Sequence, residues 1–206
     1  MSMHGIASPH DYPPLVLAST SIYRRELLQR LCVDFSVRSP QIDEAQLPSE
    51  APRDMALRLA AAKASAVASV EPGAWVIGSD QVCACDGRVL GKPGNHDAAA
   101  AQLRLLSGRE SVFHTAVALV APDGRTQVRE VPTRVHMRLL SDMQIEAYLR
   151  ADQPYDCAGS AKSESLGIAL VEAISSDDPT AIVGLPLIAL CDMLLAAGFP
   201  LLGAAA

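Results

Sequence analysis

Two oppositely charged residues, Asp80 and Lys92, flank a short motif near the middle of the chain. Between them the turn Asp86-Gly87 separates two short apolar runs, which is typical of a β-hairpin. The pattern places Asp80 near the end of a strand and predicts that the return strand brings Lys92 close to it. A carboxylate that can hold a divalent cation and that faces a lysine suits the handling of phosphate groups. A surface hairpin with a solvated Asp and Lys would show the same pattern.

A second candidate site lies where the first strand meets the first helix. An apolar run at 15–18 is followed by the hydroxyl-rich turn 19–21 and by a helical pattern over 22–31. The free N–H groups and the dipole of a helix start favour anions, and Ser19 and Arg24 add polar and charged groups there. The Walker pattern is missing. An ordinary capped helix with solvated arginines is the alternative interpretation.

Charged residues in two neighbouring segments could reach the same place. Asp43 and Glu44 lie in a polar, proline-bearing loop over 39–52 and could supply a metal ligand or a base from across a cleft. They could equally be solvated. Lys63 falls on the apolar face of a helix predicted over 53–70, where the default interpretation is a lysine that snorkels to the surface.

The remaining segments alternate between strand and helix patterns, which indicates an α/β fold. The patterns predict strands over 34–37, 111–120, 127–139 and 168–174, and helices over 95–106, 141–150 and 187–197. Between two of these elements, residues 155–167 form a small, polar, Gly- and Ser-containing loop, the kind of segment that often binds ligands.

Length and composition restrict the class of protein. With 206 residues and 50% hydrophobic content the chain suits a single domain over 15–206, with a core that could be split into two lobes. A net charge of −6 argues against a general nucleic-acid binder, and an anionic ligand would need a local basic cluster or a metal. Five scattered cysteines favour reduced thiols in a cytoplasmic protein over a zinc site or disulfides. Residues 1–14 are interpreted as a disordered tail, and no segment is long enough to span a membrane.

Taken together, these segments resemble the Maf family of nucleoside triphosphate pyrophosphatases. The matching pieces follow one another in the family's order: LVLASTSIYRRELLQRL (15–31), IDE (42–44), LRLAAAKA (57–64), IGSDQVC (77–83), GKP (91–93), LSGRESVFHTAVAL (106–119), CAGSAKSESLGIAL (157–170) and VGLPLIAL (183–190). The resemblance implies a two-lobed α/β fold, similar to that of inosine triphosphatases, with a long bent mixed sheet and a central cleft. It also implies hydrolysis of a nucleoside triphosphate to the monophosphate and pyrophosphate, and a homodimer.

The resemblance assigns roles to individual residues. It gives phosphate binding to four of them: Ser19, Arg24, Lys63 and Lys92. It makes Asp80 the proton acceptor and implies a divalent cation, Mg²⁺ or Mn²⁺, with Glu44 and Asp80 as its oxygen ligands. The metal would neutralise phosphate charge while water attacks in line. The sequence leaves open whether Asp80 accepts the proton or only holds the metal.

Three positions resemble the family branch that hydrolyses 7-methyl-GTP: Tyr23, Gln81 and Glu164. Methylation at N7 makes guanine cationic, so an aromatic face attracts it and a carboxylate can balance its charge while accepting hydrogen bonds. An arginine at position 23, found in another branch, would repel that base. Ala161 and Leu166 stand where this branch has aromatic residues, so we expect a roomier or less stacked base pocket.

Two other interpretations stay open. The substrate could be dTTP, UTP or another modified nucleotide within the same enzyme class. The chain could instead be a nucleotide-binding regulator of septum formation with little turnover. The combination of Asp80 with Lys63 and Lys92 favours catalysis, because a protein that only binds nucleotide would not need the carboxylate.

Overall fold

A single mixed sheet organises the part of the chain that the computed structural model describes, residues 12–202. Its strands are β1 (Leu15–Ala18), β2 (Ser36–Arg38), β3 (Trp75–Cys85), β4 (Arg88–Leu90), β5 (Glu110–Val120), β6 (Thr126–Met137) and β7 (Val171–Ser175). The helices are α1 (Ile22–Gln29), α2 (Pro52–Ala68), α3 (His96–Leu106), α4 (Asp142–Asp152) and α5 (Leu187–Ala197). Short 3₁₀ helices form at Ala158–Ser160, Leu166–Leu170 and Ala181–Val183. Most of the predicted N-terminal tail, residues 1–11, lies outside the described residues.

Three long antiparallel strands, β3, β5 and β6, run through the centre of the sheet. The strand order is β2-β1-β3-β5-β6-β7, and β4 also pairs with β3. The pairings of β1 with β2 and with β3 are parallel, and the others are antiparallel, so the sheet is mixed as predicted.

Two hydrophobic cores lie on one face of this sheet and a third lies on the other. Ile77 packs in a cluster with residues of α1 and α5, whereas Cys83 packs in a cluster with residues of α3 and α4. Because Ile77 and Cys83 are separated by an even number of positions on β3, their side chains point to the same face. Helix α2 covers the opposite face, where Val76 and Ala118 pack. The two clusters on the first face form the two predicted lobes, and the long strands connect them.

Local capping explains where several helices begin. Asn95 Oδ1 accepts from the backbone N–H of Ala98 at 2.9 Å at the start of α3. Ser141 and Gln144 form a capping box at the start of α4. Helix α5 is capped by a residue from the preceding loop, because the buried carboxylate of Asp178 accepts from the backbone N–H of Ile188 at 2.6 Å. The first two starts follow from adjacent residues and agree with the sequence patterns.

Two predictions about strands were wrong. The apolar runs on either side of residue 80 form one continuous strand, so Asp80 lies in the middle of β3 and not near a strand end. The reason is that β5 pairs with β3 from Val76 to Ala84 and holds the polar stretch in the sheet. The strand predicted over 168–174 begins instead as a 3₁₀ helix, and β7 occupies Val171–Ser175.

Candidate active site

A cleft opens along an unpaired stretch of β3. One edge of β3 is occupied by β5, so β1 and β4 share the other edge. On that edge β1 pairs only as far as Ala18 opposite Gly78, and β4 joins only from Cys83. Residues 79–82 therefore lack a neighbouring strand on that side in the described sheet. The cleft there has a volume of about 630 Å³.

Asp80 points from this stretch toward α2 and meets Lys63. Helix α2 can approach closely because Gly78 has no side chain: a Cβ at that position would lie 2.6 Å from the backbone nitrogen of Ala64. The Nζ of Lys63 lies 2.6 Å from Oδ1 of Asp80. Only 5% of Lys63 and 7% of Asp80 is exposed, so this ion pair is largely removed from water. Charges held in this way act strongly on a ligand that enters the cleft.

Glu44 reaches the same ammonium from the loop between β2 and α2. Its Oε1 lies 2.9 Å from Nζ of Lys63, while most of its side chain is exposed. The loop is held by Arg58 of α2, whose Nε and Nη2 donate to the two carboxylate oxygens of Glu50 at 2.5 and 2.8 Å and whose Nη2 also donates to the carbonyl of Ala45 at 3.0 Å. This bidentate contact lowers the pKa of Glu50 from 4.5 to about 2. It fixes the loop beside Glu44.

The start of α1 presents its N–H groups and a guanidinium to the cleft. Ser21 caps the helix by accepting from the backbone N–H of Arg24 at 3.4 Å, and Ser19 Oγ accepts from the backbone N–H of Ser21 at 3.1 Å. Burial lowers the pKa of Arg24, and the negative charges of Asp80 and Glu44 oppose that effect. The guanidinium is therefore within electrostatic reach of both carboxylates, next to an anion-favouring helix start.

The segment before α5 packs against the other face of the same stretch. Ser79 Oγ lies 2.8 Å from the carbonyl oxygen of Gly184. The side-chain nitrogen of Gln81 donates to the carbonyl oxygens of Ala181 and Ile182, each at 3.0 Å. The amide nitrogen of Gln81 is thus committed to protein groups, and its carbonyl oxygen is the part that could meet a ligand.

The hairpin return brings Lys92 to the cleft wall. Lys92 follows β4, is exposed and lines the same cleft as Asp80. It makes no ion pair with any residue in the described part of the chain. Its ammonium is therefore available to an anionic ligand, unlike that of Lys63, which already contacts two carboxylates.

An aromatic ring and two carboxylates line a different part of the cleft. Tyr23, in the first turn of α1, faces the segment after α4 that carries Asp156 and Glu164. The hydroxyl of Tyr23 donates to Oδ2 of Asp156 at 3.4 Å, and Nζ of Lys162 lies 3.3 Å from Oδ1 of the same carboxylate. Glu164 is exposed and accepts from the hydroxyl of Ser163 at 3.3 Å.

Comparisons with known proteins agree with this architecture. The family model described as "Maf-like protein" matches residues 14–197. The chain belongs to the Maf family. This Maf protein is 58% identical over 207 residues to the 7-methyl-GTP pyrophosphatase of Burkholderia pseudomallei, across 98% of this chain and 95% of the relative. It is 61% identical over 189 residues to the protein of the same name from Polaromonas sp., across 91% of this chain and 86% of that one.

Solved structures match this Maf protein less extensively. The Staphylococcus aureus Ham1 protein aligns with 60% of this chain and 71% of its own, at 19% identity and a TM-score of 0.43. This partial overlap adds nothing to the family assignment. Separately, no helix in the described part of the chain is long and apolar enough to cross a membrane.

The donor set at the centre of the Maf cleft fits a divalent cation only in part. Asp80 and Glu44 each use one oxygen for Lys63, and the second oxygen of each has no protein partner among residues 12–202. Two carboxylate oxygens suit a hard cation such as Mg²⁺ or Mn²⁺. Within the same residues no group of three or more His, Cys, Asp or Glu could hold a metal by itself. Such an ion would need water and ligand oxygens to complete its coordination.

The structure brings the predicted site residues to one cleft, with different degrees of contact. All nine line it: Ser19, Tyr23, Arg24, Glu44, Lys63, Asp80, Gln81, Lys92 and Glu164. Lys63 does not snorkel to the surface, because Asp80 and Glu44 compensate its charge inside the cleft. Their roles in binding and catalysis stay predictions.

Sequence reasoning missed several residues that shape the Maf site. Arg58 clamps the loop of Glu44, and the carbonyl of Gly184 accepts from Nε of Arg24 at 2.8 Å. Asp156 and Lys162 join the ring of Tyr23 at the cleft mouth. No local pattern distinguishes these residues from solvated ones, since each depends on a partner from a distant segment. The small, polar composition of the loop 155–167, which is typical of ligand-binding loops, is the one sequence signal that indicated Asp156 and Lys162.

Proposed function

We propose that this Maf protein is a metal-dependent pyrophosphatase that hydrolyses the α–β phosphate bond of 7-methyl-GTP to 7-methyl-GMP and pyrophosphate. The observation that carries the proposal is the division of one cleft into two chemically opposite regions. Cationic groups surround Asp80, and an aromatic ring with two carboxylates lies at Tyr23. A nucleotide with an anionic triphosphate and a cationic base has the matching distribution of charge. Near full-length relatives named 7-methyl-GTP pyrophosphatase support it.

The phosphate region is suited to receive the triphosphate. The N–H groups at the start of α1, the hydroxyl of Ser19 and the side chains of Arg24 and Lys92 can donate to phosphate oxygens. Lys63 contributes a buried positive charge and also holds Asp80 in place at 2.6 Å. Positioning and charge compensation supply most of the catalysis in phosphoryl transfer, so a rigid, cationic cleft is the expected apparatus.

Asp80 is the group best placed to act on the attacking water. It is the buried carboxylate of the phosphate region, and its second oxygen faces no protein donor in the described residues. In the proposed reaction this oxygen accepts the proton of the water that attacks the phosphate, or orients that water. Glu44 and Asp80 would hold Mg²⁺ or Mn²⁺, which supplies charge neutralisation when it is bound.

The base region is suited to a cationic guanine. The ring of Tyr23 offers a face for stacking, and a cation stacked on an aromatic face gains about 0.5–2 kcal/mol depending on its desolvation. The carboxylate of Glu164 can accept from the N–H edge of guanine, and the free carbonyl oxygen of Gln81 can accept one further hydrogen bond. Ala161, which stands where the 7-methyl-GTP branch has an aromatic residue, lines this region, whereas the exposed Leu166 is not among the residues that line the cleft.

A pyrophosphate-release screen tests the proposal. The purified chain is assayed with 7-methyl-GTP, GTP, dTTP and UTP, each with Mg²⁺, Mn²⁺ or no added metal, and the products are separated by ion-exchange chromatography. We expect 7-methyl-GTP to have the highest kcat/KM, with 7-methyl-GMP and pyrophosphate as products and no turnover without metal. A higher kcat/KM for dTTP or UTP would refute the substrate, and release of orthophosphate would refute the cleaved bond. Sedimentation of the same sample tests the expected homodimer.

A further inference from the structure

We propose that Asp156 is a positioning residue for the nucleobase: it fixes the ring of Tyr23 across the mouth of the cleft so that the ring presents one face to the base. The inference deepens the proposed function and rests on it for the identity of that base. Asp156 would act through Tyr23 rather than on the reacting atoms.

The contact joins the two lobes. Tyr23 lies in the first turn of α1, next to the core formed with α5, whereas Asp156 follows α4, next to the core formed with α3. The Tyr23 hydroxyl donates to Oδ2 of Asp156 at 3.4 Å, and Nζ of Lys162 lies 3.3 Å from Oδ1. The carboxylate is therefore placed between a phenol from one lobe and an ammonium from the other.

The segment that carries Asp156 is tied to its own lobe on both sides. The carbonyl of Tyr155 accepts from the backbone N–H of Gly94 at 2.9 Å, and the Tyr155 hydroxyl lies 3.1 Å from Nδ1 of His96. Further along, the backbone N–H of Lys162 donates to the hydroxyl of Tyr148 at 3.1 Å. These contacts hold Asp156 at a defined position although its own side chain is exposed. It can therefore act as a fixed acceptor for a ring on the other lobe.

The protonation states agree with this donor and acceptor assignment. Burial raises the pKa of Tyr23, with further increases from the neighbouring Cys157 and Asp156 that outweigh the opposite effect of Lys162. The phenol thus stays protonated and remains a donor at neutral pH. For Asp156, burial raises the pKa, but the charge of Lys162 and hydrogen bonds to the ionised form lower it more, so the carboxylate is ionised.

Fixing the ring matters because stacking depends on orientation. A half-buried tyrosine without a partner for its hydroxyl can rotate about its side-chain bonds, and a cation gains energy only over the face of the ring. Holding the ring before the base arrives removes that ordering cost from binding. Because the Tyr23–Asp156 contact is long, at 3.4 Å, we expect its loss to weaken binding by about three- to tenfold, the range for an ordinary hydrogen bond and not for a short charge-assisted one. Binding of the base should change, whereas the reaction at Asp80 should not.

A double-mutant cycle separates positioning from a direct charge effect. The variants are Asp156→Ala, Tyr23→Phe and the double variant, with Asp142→Ala as a control for loss of an exposed carboxylate that lies outside the cleft; alanine is used because the side-chain oxygen of Asn could still accept from the Tyr23 hydroxyl. We expect each single variant to raise KM for 7-methyl-GTP about three- to tenfold with kcat within about twofold of wild type. We expect the double variant to be no weaker than either single one, because both remove the same contact. The control should leave both constants unchanged.

Two outcomes would overturn the inference. An Asp156→Ala variant with wild-type KM shows that the contact does not support binding. Effects that multiply in the double variant show that the carboxylate acts on the base directly and not through the ring. If wild type prefers another nucleotide, the proposed function fails, and the cycle is measured with that nucleotide, where non-additivity still tests the Tyr23–Asp156 contact. Thermal melting checks folding, and Tyr23→Phe tests the contact from the other lobe if Asp156→Ala does not fold.

Discussion

Replacing Asp80 with Asn is the sharpest test of the catalytic centre. Asn has nearly the same shape as Asp, so the side chain can stay beside Lys63 and accept a hydrogen bond in place of the ion pair at 2.6 Å. It cannot accept a proton from water at neutral pH, and it is a weaker metal ligand. The substitution therefore removes the proposed chemistry while leaving the walls of the cleft in place.

The structure sets the expected size of each effect. Loss of a general base lowers kcat by about 10²- to 10⁴-fold. Breaking a fully buried ion pair lowers the free energy of unfolding by about 3–5 kcal/mol. The loss in Asp80→Asn should be smaller, because Glu44 still lies 2.9 Å from Nζ of Lys63 and compensates its charge. We expect a loss of about 1–2 kcal/mol, which lowers the Tm of a chain of this size by about 2–8 °C.

The assay measures turnover and binding separately. Pyrophosphate release gives kcat and KM over a range of Mn²⁺ concentrations, and equilibrium binding of the intact nucleotide to Asp80→Asn gives its Kd. If Asp80 is mainly the base, turnover stays low at every metal concentration. If it is mainly a metal ligand, turnover recovers substantially as Mn²⁺ is raised. Glu44→Gln is the comparison for loss of a proposed metal ligand that is not the proposed base. The Glu44 carboxylate contacts the same ammonium as Asp80 but is largely exposed.

A single result would refute this reasoning. Wild-type kcat in Asp80→Asn at low metal concentration means that the buried Asp80–Lys63 pair is a structural ion pair and that the water is activated elsewhere. A loss of turnover accompanied by unfolding would not count as support, so the melting curve is part of the assay.

Three further predictions concern specificity, acid stability and packing. Tyr23→Arg combined with Glu164→Gln should lower the ratio of kcat/KM for 7-methyl-GTP over GTP by at least tenfold, roughly, because it places a positive charge beside a cationic base; an unchanged ratio contradicts the base assignment. Glu50→Gln should be less stable than wild type at pH 7. In wild type the ionised Glu50, with its pKa lowered to about 2, stabilises the fold fully above about pH 4.5. The difference in unfolding free energy between wild type and Glu50→Gln should therefore disappear as the pH falls toward 2, and urea titrations at each pH measure it. Gly78→Ala should lower the free energy of unfolding by about 1–3 kcal/mol and also raise KM, because the new Cβ would press against the backbone of the helix that carries Lys63. A variant with wild-type Tm and KM contradicts the close approach of that helix.

The parts of the fold that depend on adjacent residues could be predicted from the sequence. Ser21, Asn95 and Ser141 cap helices that begin within one position of where their patterns indicate. The alternation of strands and helices indicated the α/β class for the same reason. These features need only local hydrogen bonds and a periodic apolar face, which a single sequence contains.

The environment of Asp80 could not be predicted in the same way. The stretch around it resembles a strand end because Gly78 and Ser79 interrupt the apolar run. Asp80 lies in the middle of a strand because β5, more than thirty positions away, pairs with this stretch. It faces a cleft because β1 ends at Ala18 on the other edge of β3. Likewise a lysine on an alanine-rich helix face predicts snorkelling until the two carboxylates that compensate Lys63 are known.

The charge at the proposed catalytic centre predicts that the metal and the nucleotide bind together. Asp80 and Glu44 with the ammonium of Lys63 carry one net negative charge, which by itself opposes a triphosphate. A divalent cation on the free oxygens of the two carboxylates reverses that sign, and Arg24 adds to it. Because Asp80 and Glu44 are the two described carboxylates beside Lys63, water and phosphate oxygens would complete the coordination of the cation there. Mn²⁺ should therefore bind more tightly in the presence of the nucleotide than in its absence, and the two affinities should be linked equally in both directions.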